Sequence, residues 1–167
     1  MAPPTCPLKL PLEDELATLK AGFSLGEALI ALAVKALFIG LTGDLGAGKT
    51  TFCQGVGKAL GLAAGEVTSP TFALAHEHQG LVAFSHLDLY RLGDRPENEF
   101  LEAGLTDYLD GITLVEWPER LPDSFWPLNR LNLTLTIAPQ GRLLVGLGLT
   151  PEAQKVWAHL TQRFLLG

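Results

Sequence analysis

The residues best suited to chemistry lie in a glycine-rich segment at 43–50, which reads Gly-Asp-Leu-Gly-Ala-Gly-Lys-Thr. This is the pattern of a phosphate-binding loop, because its glycines let the backbone turn tightly and present N–H groups to phosphate oxygens. Lys49 adds a positive charge, and Thr50 offers a hydroxyl to Mg²⁺. The pattern therefore predicts a nucleotide site.

The flanking sequence supplies the setting that such a loop requires. Residues 36–41 form an apolar run typical of a buried strand, and residues 51–60 read as a helix whose N-terminal dipole faces the phosphates. The alternative, a glycine-rich turn with an exposed lysine, is disfavoured because few chance matches also follow a buried strand. The residues expected to contact the nucleotide are Asp44, Leu45, Gly46, Ala47, Gly48, Lys49, Thr50 and Thr51.

Two acidic residues are candidates for the carboxylate that completes the metal site. Glu116 ends the apolar segment 112–115, and Asp88 follows the apolar segment 81–87. In nucleotide hydrolases, a hydrophobic strand delivers such an acid to the Mg²⁺ beside the hydroxyl of the loop. Either residue can instead be a surface acid at the end of a strand, so the residues alone leave the choice open.

Other polar and aromatic residues surround these acids in sequence. Residues 68–71, Thr-Ser-Pro-Thr, place hydroxyls around a proline, which suits either a loop that senses the γ-phosphate or an ordinary turn that begins a strand. Arg91 is expected to neutralise transition-state charge or to pair with a nearby acid. Trp117 and Pro118 are expected to pack in the core, the default for a large aromatic.

Length and charge limit the architecture and the partners. The 167 residues suit one domain, residues 1–167, with residues 1–7 as a flexible tail. The chain has 18 Asp and Glu against 12 Lys and Arg, which gives a formal net charge of -6. This balance does not favour tight direct binding to nucleic acid, so if the protein serves a nucleic acid, we expect it to do so through another protein.

Segments for export, membrane insertion and zinc binding are not evident. The N-terminus lacks the basic and apolar regions of a signal peptide, and no apolar run approaches membrane-spanning length, so we expect a cytoplasmic protein with no membrane partner. Cys6 and Cys53 are expected to stay reduced. A zinc site is disfavoured because the four histidines form no Cys/His pairing at ligand spacing.

Helices and strands can be predicted along most of the chain. Helices are predicted at 13–21, at 24–35 after a break at Gly22, and at 96–109. Strands are predicted at 8–10, 67–72, 81–87 and 112–115, and an antiparallel hairpin at 131–137 and 142–149. Thr150 and Pro151 begin a C-terminal helix.

Four segments resemble the TsaE family, the ATPase subunit of the bacterial machinery that makes threonylcarbamoyladenosine in tRNA. They are the loop at 43–52, Ser-Pro-Thr-Phe at 69–72, His-Leu-Asp-Leu-Tyr-Arg-Leu at 86–92 and Leu-Val-Glu-Trp-Pro-Glu at 114–119, in the family's order. Thr18 with Gly22, and residues 103–108, match the family's sequence pattern more weakly. The resemblance covers about residues 12–119, and the C-terminal third carries little identifying sequence.

The resemblance implies a phosphate-loop fold and a set of partners. The implied α/β fold is a three-layer αβα sandwich with a mixed, mainly parallel sheet. The hairpin predicted at 131–137 and 142–149 adds antiparallel strands at the C-terminus. ATP and Mg²⁺ are the implied cofactors, and slow ATP hydrolysis is the implied activity. TsaB and TsaD are the implied partner subunits, with tRNA reached only through that complex.

The resemblance also implies roles for individual residues. Thr50 and Glu116 would hold the metal, which leaves Asp88 as a second catalytic acid near the γ-phosphate or an attacking water. Thr71, with Ser69, would belong to a switch-like segment. Lys49 would act on the phosphates, and Thr18 is a candidate adenine contact.

Three other readings use the same phosphate loop. A small-molecule kinase usually needs a lid with several arginines, and Arg91, Arg95 and Arg120 do not cluster in sequence. A GTP-dependent switch would need an Asn-Lys-x-Asp motif for guanine, and the sequence contains none. A nucleotide-binding adaptor without hydrolysis is the third alternative.

Overall fold

The apolar run before the glycine-rich loop forms a central strand of a mixed sheet. The computed structural model describes residues 8–70, 73–92 and 96–167. Within them, seven strands lie in the order β1-β7-β6-β2-β5-β4-β3. The strands are β1 (Lys9–Leu12), β2 (Leu37–Thr42), β3 (Ala75–Gln79), β4 (Ala83–Asp88), β5 (Ile112–Glu116), β6 (Arg130–Ile137) and β7 (Arg142–Gly148).

Helices cover both faces of this sheet. The α-helices are α1 (Glu15–Ala31), α2 (Lys49–Ala59), α3 (Pro96–Glu102) and α4 (Pro151–Leu166), and short 3₁₀ helices span Leu105–Asp110, Pro118–Arg120 and Asp123–Phe125. On one face, α1, α2 and α4 pack against Leu37, Ile39 and Leu41. On the other face, Phe38 of β2 packs in a second cluster with Phe100 of α3. The predicted three-layer αβα arrangement is confirmed.

The direction of the strands brings the candidate acids to one edge. Strands β6, β2, β5 and β4 run parallel. Outside them, β3 pairs antiparallel with β4, β7 with β6, and β1 with β7. Glu116 of β5 pairs with Leu41 on one side and with Asp88 of β4 on the other. Because the glycine-rich loop follows β2, both acids lie beside the start of the loop, at the carboxyl ends of the parallel strands. This is the edge at which open α/β sheets bind ligands.

The predicted helix break at Gly22 is wrong, because α1 continues unbroken from its cap at Asp14 to Ala31. A Cβ atom at Gly22 would lie 1.9 Å from the carbonyl oxygen of Phe52 in α2. The facing Gly55 of α2 is equally confined, with a Cβ position 2.1 Å from the carbonyl oxygen of Leu19. These glycines therefore allow the α1 and α2 backbones to touch.

The strand predicted at 67–72 is also wrong over residues 67–70, which form a loop, while residues 71–72 lie outside the described residues. The strand that follows, β3, was missed because its sequence, Ala-His-Glu-His-Gln, lacks the β-branched residues that favour strands. It lies at the sheet edge, where polar residues are common.

Most other predicted elements are confirmed. The short strand near residue 9, the strand that ends at Glu116 and the C-terminal hairpin are present. The C-terminal helix begins as expected, since Thr150 Oγ1 accepts a hydrogen bond from Ala153 N. The tail predicted at 1–7 lies outside the described residues. Among the helices of the described ranges, none is long and apolar enough to cross a membrane.

Gly22→Ala tests the close approach of α1 and α2. Alanine normally favours a helix interior over glycine by about 1 kcal/mol, whereas here the new Cβ must displace the Phe52 carbonyl. We expect the free energy of unfolding in urea to fall by roughly 1–3 kcal/mol. In the control Gly111→Ala, no atom beyond the two chain neighbours lies within 4 Å of the new Cβ. An increase in stability from Gly22→Ala would contradict the packing described.

Candidate phosphate-binding site

A cleft of about 470 Å³ lies at the edge of the sheet where β2, β4 and β5 end. Its walls come from the glycine-rich loop, the first turn of α2, the N-terminal part of α1 and the start of β7. The sequence-predicted residues that line it are Thr18, Leu45, Gly46, Gly48, Lys49, Thr50, Thr51, Asp88 and Glu116. Thr71 lies outside the described residues.

The glycine-rich loop has the backbone conformation that its sequence predicts. Gly46 and Gly48 have φ angles of 80° and 105°, a region that side chains strongly disfavour. Helix α2 begins directly after Gly48, so its first turn lines the cleft. Two residues predicted to contact the nucleotide, Asp44 and Ala47, do not line the cleft. Ala47 is buried in the core, whereas Asp44 is exposed and its backbone carbonyl accepts a hydrogen bond from Ala47 N.

Lys49 is almost fully buried at the base of the cleft. Its Nζ donates to the carbonyl oxygens of Gly43 and Asp44, the latter at 3.0 Å, and lies 4.3 Å from the centroid of the Trp117 ring. Burial lowers the pKa of Lys49, while nearby carboxylates, led by Glu116, act in the opposite direction. The amine is therefore held where it can exchange carbonyl partners for phosphate oxygens.

Glu116 is a buried carboxylate held from two sides. The Thr50 hydroxyl donates to the Glu116 carboxylate, with Oγ1 3.1 Å from Oε1 and 3.3 Å from Oε2. On the other side, His86 Nε2 donates to Oε1 at 2.8 Å. The hydroxyl of Thr50 and the carboxylate of Glu116 are hard oxygen ligands within reach of one cation, so this pair fits Mg²⁺.

Asp88 is half-buried on the neighbouring strand and has different partners. Its Oδ2 accepts from Ser69 Oγ at 2.8 Å, and its Oδ1 accepts from the backbone N–H of Tyr90 at 3.0 Å. These contacts orient the carboxylate within the cleft. The structure thus brings both candidate acids to one site but gives them separate surroundings. Arg91 also lines the cleft.

Thr18 lies beside the loop on α1. Its hydroxyl donates to the carbonyl oxygen of Asp14 at 3.2 Å, a bond within its own helix. A Cβ atom at Gly48 would lie 3.2 Å from the Thr18 methyl group, so Thr18 packs on the loop backbone. Its contact with adenine stays a prediction.

Trp117 does more than the core packing expected from sequence. It is half-buried, its φ of 59° lies in the left-handed region, and its ring lines the cleft. The ring contacts Lys49 and the Tyr90 ring, whose centroid is 4.9 Å away. Pro118 is buried as expected. The sequence signal for Trp117 was its position directly after the acid that ends β5.

The spacing argument against a Cys/His site missed a cluster formed by three separate elements. Candidate ligand atoms of Cys53, His86 and Glu116 lie within 4.8 Å of one another, and all three residues are buried. Burial raises the pKa of the Cys53 thiol well above its usual value, so the thiol stays neutral. Local spacing could not reveal this cluster, because α2, β4 and β5 each contribute one residue.

Arg142 is a site residue that sequence reasoning missed entirely. It begins β7, yet its side chain reaches the glycine-rich loop and lines the cleft. Its Nε donates to the carbonyl oxygen of Ala47 at 2.7 Å, and its Nη2 donates to that of Gly46 at 3.1 Å. The segments that carry the sequence resemblance end at residue 119, so none of them pointed to this contact.

Comparisons with known proteins agree on one family. The family model described as "Threonylcarbamoyl adenosine biosynthesis protein TsaE" matches residues 12–143. A protein of Nostoc sp. named tRNA threonylcarbamoyladenosine biosynthesis protein TsaE is 42% identical over 140 residues, which cover 80% of each chain. A Synechocystis sp. protein of the same name is 44% identical over 66% of this chain and 73% of its own. The crystal structure of Bacillus subtilis YdiB aligns with a TM-score of 0.67 and 26% identity, covering 93% of this chain and 94% of that one.

Proposed function

The chain belongs to the TsaE family of tRNA threonylcarbamoyladenosine biosynthesis proteins, and from that premise we propose that it is a Mg²⁺-dependent ATPase that supports this modification. The observation that carries the proposal is the contact between Thr50 and Glu116 beside a glycine-rich loop. A loop that fits phosphate thereby lies next to a pair of oxygen ligands that fits Mg²⁺. The cleft volume of about 470 Å³ suits a nucleotide-sized ligand.

In the proposed reaction, the loop and Lys49 bind the β- and γ-phosphates of ATP. The N-terminus of α2 adds a favourable dipole, because the first turn of the helix lines the cleft. The Lys49 amine exchanges its carbonyl partners for phosphate oxygens. Since this amine is nearly buried, its attraction to phosphate is screened less than at the protein surface.

Thr50 and Glu116 would hold Mg²⁺, with His86 keeping the Glu116 carboxylate in place. When bound, the metal would neutralise charge that develops on the phosphate oxygens. Asp88 would orient an attacking water and accept its proton, because Ser69 and the Tyr90 N–H already fix its carboxylate.

The bond between Asp88 and Ser69 supports a link from the reaction to a switch-like segment. Ser69 belongs to residues 68–72, the hydroxyl-rich stretch that would sense the γ-phosphate. A change in this stretch on hydrolysis would make or break a protein interface. Thr71 remains a proposed member of this segment and of the catalytic set.

The proposed partners are the TsaB and TsaD subunits, with tRNA contacted through them in the cytoplasm. The formal net charge of -6 supports indirect service to tRNA, since an acidic chain releases few counterions from nucleic-acid phosphates. Of the arginines considered for a kinase lid, Arg120 does not line the cleft. It donates to the carbonyl oxygen of Leu92 at 3.0 Å, and its guanidinium lies against the Tyr90 ring.

Lys49→Ala tests the phosphate contact. Loss of a charge-assisted hydrogen bond is expected to weaken ATP binding roughly 10- to 100-fold, as measured by titration calorimetry. The matched control Lys58→Ala removes an exposed lysine from the last turn of the same helix, so its affinity should equal that of the wild type. Unchanged affinity in Lys49→Ala would refute the assignment of the loop.

Glu116→Gln and Asp88→Asn test the separate roles of the two acids. Glu116→Gln removes a charge from the metal site, so ATP hydrolysis should need a higher Mg²⁺ concentration. Asp88→Asn should instead lower turnover at saturating Mg²⁺, because it removes the proton acceptor. Metal titrations of the hydrolysis rate distinguish the two, with Glu102→Gln, an exposed residue at the end of α3, as the control. The opposite pattern would mean that the roles are exchanged, and wild-type behaviour in both variants would contradict them.

A further inference from the structure

We propose that Arg142 is a positioning residue for nucleotide binding, which fixes the phosphate loop from the C-terminal hairpin. The inference rests on the proposed function and assigns a role to a residue near the end of the segment 12–143 that the family model matches. Arg142 is half-buried and donates to two consecutive loop carbonyls, those of Gly46 and Ala47. It therefore holds the loop through backbone atoms.

A glycine-rich loop needs such a holder because its backbone is conformationally free. Gly46 and Gly48, on either side of Ala47, adopt left-handed φ angles of 80° and 105°. Glycine reaches this region easily but also leaves it easily, so ordering the loop costs conformational entropy. If the loop is already ordered before the nucleotide binds, this entropy is not lost on binding, so the affinity for the nucleotide is higher.

The two hydrogen bonds also set the direction of the loop N–H groups. In a trans peptide, the C=O and the following N–H point to opposite sides. Because Arg142 binds the Ala47 carbonyl, the Gly48 N–H points away from the guanidinium. Because Arg142 binds the Gly46 carbonyl, the Ala47 N–H points away as well, and it donates to Asp44 O at 3.0 Å. The guanidinium thus fixes two successive peptide planes.

The hairpin gives Arg142 a rigid base. Arg142 pairs with Ile137 of β6 and with Leu12 of β1, so strands flank it on both sides. The same hairpin supports the start of the loop, since a Cβ atom at Gly43 would lie 2.6 Å from the carbonyl oxygen of Leu135. The β6–β7 hairpin therefore contacts the loop near its beginning and at its glycine-rich turn.

The geometry requires an arginine rather than any positive charge. A guanidinium presents several N–H groups in a planar fork, so Nε and Nη2 can each bind one carbonyl in a fixed orientation. A lysine would keep the charge but present a flexible ammonium that cannot reproduce this fork. The alternative role for Arg142, general attraction of phosphate, would be preserved by lysine. The two roles therefore make opposite predictions for Arg142→Lys.

The test is the affinity of the full chain for ADP, measured by titration calorimetry with Arg142→Lys and Arg142→Ala. ADP avoids turnover during the titration. Both variants should bind ADP about tenfold more weakly than the wild type, because both lose the fork. The control is Arg130→Lys, another hairpin arginine that donates to a backbone carbonyl, that of Pro127, and it should bind as the wild type does.

Urea unfolding of each variant separates positioning from a purely structural role. If Arg142→Lys binds ADP as tightly as the wild type, whether or not its stability falls, the proposal is overturned. Weaker binding by variants that remain folded at the titration temperature supports it. A wild-type protein that binds neither ADP nor ATP would overturn the proposed function together with this inference, whereas equal binding by wild type and Arg142→Lys overturns this inference alone.

Discussion

The arrangement of the site depends on one buried carboxylate, that of Glu116. A buried charge is costly unless it is hydrogen-bonded, and here Thr50 and His86 both donate to it. Thr50 lies in the first turn of α2, His86 in β4 and Glu116 at the end of β5. The same carboxylate therefore ties three elements together and presents oxygen ligands beside the loop. Its need for partners fixes how the helix that follows the loop sits on the sheet.

The phosphate loop is in turn held by parts of the chain that lie far from it in sequence. Helix α1 approaches α2 through Gly22, and Thr18 packs on Gly48. From the opposite end of the chain, Arg142 binds two loop carbonyls. Residues with no direct part in the proposed chemistry thus determine where the loop's amides point, which is what phosphate binding requires.

Sequence reasoning succeeds where chemistry depends on neighbours along the chain. The loop is a local pattern of this kind, since its glycines, Lys49 and Thr50 directly follow a buried strand. The acid that ends β5 is local too, but the residues alone left Glu116 and Asp88 both open, and the resemblance to the TsaE family favoured Glu116. Gly22 was misread because a glycine that breaks a helix and one that lets two helices touch look the same in sequence. The roles of His86 and Arg142 were not predicted, although His86 lies in the matched segment 86–92, because strand order and register bring these side chains to the site. Edge strand β3 lacks the apolar pattern that identifies buried strands.

The proposal that ATP turnover at Glu116 serves tRNA modification is tested most directly in a reconstituted reaction with the TsaB and TsaD subunits. The quantity to measure is threonylcarbamoyladenosine formed in tRNA over many turnovers, with wild type, Glu116→Gln or no added chain. At a Mg²⁺ concentration that saturates the wild type but not Glu116→Gln, the wild type should sustain repeated turnovers. Glu116→Gln should then yield no more than the reaction without the chain, because its metal site has lost a charge. Equal yields in all three reactions would contradict the proposal.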